Sequence, residues 1–244
     1  MNENVKIYIC THTDFNCPVR NRIYEIADSR KIFTDDKAAN GLDGLFYSEL
    51  MTYKHLADHS DTLPEIVGFC GYRKYFFFLD NVPNIADLVE RHGCITTTPY
   101  KLRRNVYKHY GGCFCFADMD VMKAVIRCKF PWLYPSFDKM LNSDWLYTCN
   151  MFIMRKDDFV EMMNVVWDAI DTWIDIIGMD IKGRIERHSN IYLAKSKGGT
   201  LEHQYRIGGN LGERIVSAYI SHKFHNPKTY DIIFTEYARP RKKL

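Results

Sequence analysis

Short apolar segments, each followed by polar residues, recur along the chain. Segment 5–11, VKIYICT, is β-branched and aromatic and leads into the polar run THTDFNCP. This pattern is typical of a strand followed by a loop. Three further strands are predicted at 65–78, 147–158 and 231–238. The last of these precedes a basic terminus.

Apolar residues at helical spacing predict helices between these strands. The clearest helix follows residue 158 and ends at Gly178. Its apolar positions keep the i, i+3, i+4 spacing of a buried helix face: Phe159, Met162, Met163, Val166, Ile170, Trp173, Ile174 and Ile177. Other helices are predicted at 47–58, 85–93, 99–110, 118–131 and 206–224. We expect the last to begin with a glycine-rich turn at Gly208–Glu213.

Strands that alternate with helices indicate an α/β fold with a largely parallel central sheet flanked by helices. The chain shows no internal repeat and no low-complexity linker. We therefore expect one domain over residues 1–244, with a short basic tail at 239–244.

Composition narrows the class of protein. Apolar residues make up 46% and charged residues 26% of the chain, which is ordinary for a globular protein. No apolar run approaches the roughly 20 residues of a membrane span, and MNENVKIYIC is not a signal peptide. The eight cysteines are scattered. We therefore expect no transmembrane segment, free thiols and a cytoplasmic location.

Positive charge is clustered although the net charge is only +3. Segment 101–110, KLRRNVYKHY, interleaves Arg103, Arg104 and His109 with aromatic residues. Together with the tail, it indicates a surface that contacts phosphates, nucleic acid or an anionic membrane. For the tail alone, solvated surface charge is the favoured interpretation.

Three polar clusters follow predicted strands or begin a predicted helix. They are Thr11, His12 and Asp14; Tyr72, Arg73 and Lys74; and Asn150 with the Gly208–Glu213 turn. In open α/β sheets, ligands bind at the carboxyl ends of strands. Hydroxyls, cations and helix N-terminal N–H groups suit a diphosphate. The chain lacks the GxGxxG and GxxxxGK[ST] nucleotide loops.

Four carboxylates are candidates for chemistry. Asp118 and Asp120 form a DMD motif that either binds Mn²⁺ or Mg²⁺ carrying a nucleotide diphosphate, or caps the helix that follows. Glu213 is either a general base for an acceptor hydroxyl or a first-turn residue that complements the helix dipole. Asp144 competes with Glu213 for the catalytic role.

Five segments resemble one family over roughly residues 5–222. They are KIYICTHTDF, YSELMTYKHL, GFCGYRKYF, YTCNMFIMRKDDF and RIGGNLGERI. The family comprises bacterial capsular and exopolysaccharide biosynthesis proteins, whose shared domain was long catalogued as of unknown function. The resemblance implies a GT-A-like (Rossmann-like) fold and a glycosyltransferase that uses a nucleotide-sugar donor.

The resemblance also matches particular residues of the family to positions in this chain. Glu49 falls on the family's glutamate, and Glu213 and Arg214 fall on its Glu-Arg pair. Gly71 stands where the family has histidine, and Lys74 where it has a second arginine. We expect Arg214 to join the donor-binding set, and Glu49, Arg103, Arg104 and His109 to bind the acceptor.

These observations favour transfer of a galactose- or arabinose-like sugar, in pyranose or furanose form, from a UDP-sugar. The acceptor is either a surface polysaccharide or 5-hydroxymethylcytosine in bacteriophage DNA, which would need a basic groove and base flipping. The alternative is a non-catalytic, basic nucleic-acid-binding module. Against it, the chain lacks a recognised nucleic-acid-binding motif.

Overall fold

An eight-stranded sheet forms the centre of the protein. The computed structural model describes residues 4–33, 42–178, 180–187 and 204–235, so the basic tail lies outside the described residues. The strands are β1 Val5–Thr11, β2 Tyr24–Asp28, β3 Ile66–Gly71, β4 Lys74–Phe76, β5 Cys94–Thr97, β8 Phe152–Arg155, β9 Lys228–Tyr230 and β10 Ile232–Phe234. A separate two-stranded ribbon joins β6 Tyr100–Lys101 to β7 Trp145–Leu146.

The sheet is mixed, but most of its strands run in the same direction. β1 lies between β2 and β3 and is parallel to both, and β5 is parallel to β9. β8 runs antiparallel between β3 and β5, and β4 runs antiparallel between β3 and β10. All strands except β4 and β8 therefore share one direction. This confirms the predicted α/β fold with a largely parallel sheet.

Helices cover the sheet on its two faces. They are α1 Ser29–Ile32, α2 Leu42–Tyr47, α3 Leu50–Asp58, α4 Ile85–His92, α5 Val106–Cys113, α6 Phe116–Lys129, α7 Tyr134–Asn142, α8 Lys156–Ile177, α9 Ile181–Arg187 and α10 Ile207–Lys223. Successive residues of β1 alternate between two apolar cores, because side chains of a strand point to opposite faces. Tyr8 joins the core under α3, α8 and α10, whereas Ile7 and Ile9 join the core under α4.

The predicted strand over 65–78 is wrong in its length. β3 ends at Gly71, the chain turns at Tyr72 and Arg73, and β4 returns antiparallel from Lys74. Arg73 therefore lies in the turn and Lys74 at the start of β4, instead of both lying in the middle of one strand, which avoids burying unpaired charge. Of the three phenylalanines that follow, Phe77 is 65% exposed, while its two neighbours are buried.

The predicted helices differ from the observed ones at their ends. The helix over 47–58 is broken at Ser48, whose φ of 54° separates α2 from α3. The helix over 99–110 begins only at Val106, after the β6 strand. The helix over 118–131 begins at Phe116, so Cys115, and not Asp118, is its N-cap. The long helix predicted after residue 158 begins at Lys156, with Arg155 as its N-cap.

The glycine-rich turn at Gly208–Glu213 is also wrong, because these residues lie inside α10. The glycines let α10 approach α2 and α3 closely. A Cβ at Gly208 would lie 2.5 Å from the ring of Phe46, and one at Gly212 would lie 2.3 Å from a methyl of Leu50. Both partners are buried. The absence of side chains at these glycines therefore permits close helix packing, and it does not indicate a phosphate-binding loop.

We expect Gly208→Ala to lower the free energy of unfolding by about 1–2 kcal/mol. Overpacking against the Phe46 ring costs about 1–3 kcal/mol, and the better helix propensity of alanine returns up to about 1 kcal/mol. Urea denaturation measures the difference. Gly112→Ala is the matched control, since this helical glycine has nothing within 4 Å of an added Cβ. A control less stable than wild type would contradict this account.

Within the described residues, no helix is long and apolar enough to cross a membrane. All eight cysteines lie in those residues as free thiols.

Candidate active site

A cavity of about 390 Å³ opens at the carboxyl ends of β1 and β3. The two strands end level, because Cys10 pairs with Gly71 and the Tyr72 N–H donates to the Cys10 carbonyl at 3.1 Å. The predicted residues Thr11, His12, Tyr72, Arg73, Lys74 and Glu49 all line this cavity. The structure thus brings together two sequence-predicted clusters and adds a carboxylate from the start of α3.

Three cations surround the cavity. Arg73 and Lys74 come from the β3–β4 turn, and Arg206 comes from the N-cap of α10. Within the described part of the chain, none of the three is ion-paired with a carboxylate. Uncompensated cations beside a cavity favour an anionic ligand, and arginine binds phosphate oxygens through two parallel hydrogen bonds.

An aromatic wall accompanies the cations. The ring of Tyr72 makes edge contacts with His12 at 5.4 Å and with Phe15 at 5.8 Å, and Arg73 lies over it at 5.0 Å. The pKa of His12 is lowered from its ordinary value of 6.5, first by desolvation at the cavity wall and then by the positive charges of Arg206 and Arg73. His12 is therefore a neutral hydrogen-bonding group near pH 7.

The loop after β1 is fixed by its own polar groups. The Thr11 hydroxyl donates to the Thr13 carbonyl at 2.7 Å and accepts the Thr13 N–H at 3.1 Å. Asp14 is not among the residues that line the cavity. Its side chain is 95% exposed and pairs at 2.7 Å with Arg30, which also binds Asp28. Of the first predicted cluster, Thr11 and His12 thus reach the cavity.

Glu49 joins two distant parts of the chain at the cavity. It occupies the N-cap of α3, yet its side chain makes no capping hydrogen bond. Instead, its Oε1 accepts a hydrogen bond from Nδ2 of Asn150 at 2.8 Å. Asn150 is 3% exposed, and its carbonyl accepts the Tyr53 hydroxyl at 2.8 Å. The Asn150 amide therefore orients the cavity carboxylate.

Glu213 does not line the cavity. Its Oε1 accepts the N–H of Cys149 at 2.6 Å, and its Oε2 accepts Nη1 of Arg214 at 2.7 Å. Arg214 is 2% exposed and lies over the ring of Tyr110, with His109 3.5 Å from its Nη2. Both predicted residues are thus part of a buried network behind the cavity. Their predicted direct roles in catalysis and donor binding stay predictions.

The remaining predicted residues lie away from the cavity lining. Asp144 lies in the bend before β7, where its carbonyl accepts the Leu102 N–H at 2.7 Å. Arg103 and Arg104 are exposed in the loop that leads from β6 to α5. The pKa of His109 is lowered, first by burial and then by Arg214. Acceptor binding by these side chains stays a prediction.

Asp118 and Asp120 lie in different surroundings, and their role as metal ligands stays a prediction. Asp118 is fully buried in the first turn of α6, where its carbonyl accepts Nε1 of Trp173 at 2.9 Å. Asp120 is exposed and accepts the Tyr107 hydroxyl at 2.8 Å. Within the described residues, no group of three or more His, Cys, Asp or Glu gathers for a metal. Dependence on Mn²⁺ or Mg²⁺ stays a prediction.

Sequence reasoning missed Arg206 and Cys149, which both line the cavity. Arg206 is a basic residue directly before an amphipathic helix, and such a position can be noticed in the sequence. Its place at the cavity depends on the packing of α10 against α2, which the sequence pattern does not show.

The chain belongs to a protein family described as a domain of unknown function (DUF4422), whose model matches residues 6–224. Among solved structures, the fold is similar to that of the apo structure of WbbM, a bifunctional glycosyltransferase. The TM-score is 0.73 at 18% sequence identity, over 95% of this chain and 45% of that chain. The chain thus spans less than half of WbbM. No curated protein matches the chain.

Proposed function

We propose that the protein transfers a sugar from a nucleotide-sugar to an acceptor hydroxyl. The observation that carries the proposal is the cavity at the β1 and β3 ends, where Arg73, Lys74 and Arg206 leave positive charge uncompensated within the described residues. The similarity in fold to a glycosyltransferase supports the same reaction class. A UDP-sugar with a galactose- or arabinose-like sugar is the donor we propose.

The cations would act on the leaving group. As the bond between the sugar and the diphosphate breaks, negative charge grows on the phosphate oxygens. Donors that already point at those oxygens stabilise that charge without reorganising. The N-terminus of α3, which contributes Met51 and Thr52 to the lining, adds the positive end of a helix dipole.

The acceptor is either a surface polysaccharide or 5-hydroxymethylcytosine in DNA. Exposed Arg103 and Arg104 lie next to the β6–β7 ribbon, where Lys101 lies 5.3 Å over the half-exposed ring of Trp145. Cations and an exposed aromatic ring suit stacking on a sugar or a base beside negative charge.

A mass-spectrometric transfer assay tests this proposal. The protein is incubated with a panel of UDP-sugars, including UDP-galactose and UDP-arabinose, and with an oligosaccharide or hydroxymethylated duplex DNA. We expect one acceptor to gain the mass of one sugar residue while UDP is released. Consumption of no UDP-sugar with either acceptor would contradict the proposal. Activity that falls steeply as salt concentration rises would identify DNA as the acceptor, because salt weakens the binding of cationic side chains to DNA phosphates.

His12 should couple donor binding to pH. A bound diphosphate beside His12 favours the protonated imidazole and raises the pKa that burial and the arginines lower in the free protein. Affinity for UDP-galactose should therefore rise as pH falls from about 8 to about 6, with uptake of a proton. Calorimetry in buffers of different ionisation enthalpy measures both. In His12→Gln this coupling should disappear, and its persistence would refute the role of His12.

A further inference from the structure

Resting on the proposed function, the geometry points to Glu49 as the carboxylate that deprotonates the acceptor hydroxyl. Half-buried Glu213 and its buried partner Arg214 would act as positioning residues that hold Glu49 through the turn at Cys149 and Asn150. Glu49 is half-buried in the cavity wall, at the N-terminus of α3. Among the described residues, its Oε1 is bound by Asn150, and its Oε2 accepts no hydrogen bond.

The turn at Cys149 and Asn150, which contacts Glu213 on one side and Glu49 on the other, has an unusual backbone. Cys149 and Asn150 have φ values of 73° and 50°, in the left-handed region that side chains other than glycine seldom adopt. Two such residues in succession cost about 1–3 kcal/mol each, so the surroundings must hold them in place. Glu213 does so from α10 by accepting the Cys149 N–H at 2.6 Å.

The other end of the turn is fixed by α3. Tyr53 donates to the Asn150 carbonyl at 2.8 Å, and Asn150 in turn donates from Nδ2 to Glu49. Tyr53 is 1% exposed, so this anchor lies in the packed core. The left-handed turn thus points the amide of Asn150 at one oxygen of Glu49, which leaves the other oxygen for a substrate.

Arg214 is the ion-pair partner of Glu213 behind the cavity. The guanidinium is 2% exposed, and its Nη1 donates to Glu213 at 2.7 Å and to the Asn210 carbonyl at 3.0 Å. Burying such a pair brings little net stability, yet breaking it by removing one partner is costly. A pair of this kind serves to fix a geometry, and here that geometry is the Cys149–Asn150 turn.

In the step that we propose, the acceptor hydroxyl gives its proton to Oε2 of Glu49. The acceptor oxygen then forms the bond to the anomeric carbon of the sugar. The bond from that carbon to the diphosphate breaks, and the leaving nucleoside diphosphate keeps the electron pair beside Arg73. Product release returns the proton from Glu49 to solvent.

Steady-state kinetics with UDP-galactose, or the panel UDP-sugar that wild type consumes fastest, test the inference. Glu49→Gln should lower kcat about 10²- to 10⁴-fold and leave donor Kd within about twofold. Asn150→Ala and Glu213→Gln should lower kcat about 10- to 100-fold with the same donor Kd, because a small misplacement of a catalytic group has that effect. Melting temperatures establish that each variant is folded.

A double-mutant cycle separates positioning from a structural role. If Glu213 acts through Glu49, Glu213→Gln should cost nothing further in the Glu49→Gln background. Ser217→Ala is the matched control, since Ser217 on α10 accepts the nearby Tyr147 N–H at 3.1 Å without lying between Glu213 and Glu49. It should keep wild-type kcat.

The outcomes distinguish the two proposals. An active wild type whose kcat is unchanged by Glu49→Gln would overturn this inference and leave the proposed function intact. The positioning role would be overturned if the double variant lost kcat by the product of the two single-variant factors. It would also be overturned if Glu213→Gln weakened donor binding, measured as Kd. A wild type that consumes no UDP-sugar would overturn the proposed function, and this inference with it.

Discussion

Arg73→Ala should abolish measurable sugar transfer while the protein stays folded. Arg73 lies at the tip of the β3–β4 turn, exposed and without a carboxylate partner among the described residues, so its removal leaves no orphaned charge in the core. A charge-assisted hydrogen bond contributes about 1.5–3 kcal/mol, which corresponds to roughly 10- to 150-fold in donor affinity. Arg73 also donates hydrogen bonds to the charge that develops on the leaving diphosphate in the proposed reaction. Loss of such a hydrogen-bond donor should lower kcat by about a further 10²- to 10³-fold.

Donor affinity by calorimetry and transfer by mass spectrometry measure these two losses. Arg91→Ala provides the matched control, because Arg91 is an exposed arginine of α4 whose carboxylate partner is Asp87 in the preceding helical turn. It should change neither quantity. The free energy of unfolding should shift by no more than about 0.5 kcal/mol in either variant. A fully active Arg73→Ala variant would remove Arg73 from the donor site.

Trp173→Ala should produce the largest loss of stability. The side chain is completely buried on α8, donates from Nε1 to the Asp118 carbonyl and packs 6.3 Å from the ring of Phe46. Removing it takes away the buried apolar surface of the indole and leaves a cavity, which costs about 3–5 kcal/mol. The melting temperature should fall by about 6–20 °C for a domain of this size.

The damage should extend to the cavity, because Phe46 packs on Gly208 of α10, close to Arg206. Trp132→Ala is the control, since Trp132 is 42% exposed and should cost less than about 1 kcal/mol. Equal losses for the two tryptophans in thermal denaturation would refute the packing described here.

The sequence predicted the elements whose signals are local. The strand at Val5–Thr11 and the long helix after β8 follow from apolar spacing alone. The polar cluster at Tyr72, Arg73 and Lys74 does follow a strand, β3, although that strand ends at Gly71 and the predicted strand ran on to residue 78.

What the sequence could not predict depends on contacts between distant residues. Asn150 and Glu49 are 101 positions apart, and their hydrogen bond exists because α3 packs on the sheet that contains β8. The glycines of α10 have the composition of a phosphate loop, yet their surroundings make them packing residues. Local secondary-structure propensity does not predict these contacts, because the contacting residues are distant in the sequence.

The most direct test of the central claim is a thermal-shift measurement with UDP, a UDP-sugar panel and duplex DNA. A ligand that binds only the folded state stabilises it, by about 2.7 kcal/mol at a concentration of 100 Kd. We predict that UDP and at least one UDP-sugar raise the melting temperature of wild type and that this rise is lost in Arg73→Ala. A rise with DNA but with no nucleoside diphosphate would contradict the account and indicate a non-catalytic nucleic-acid-binding module.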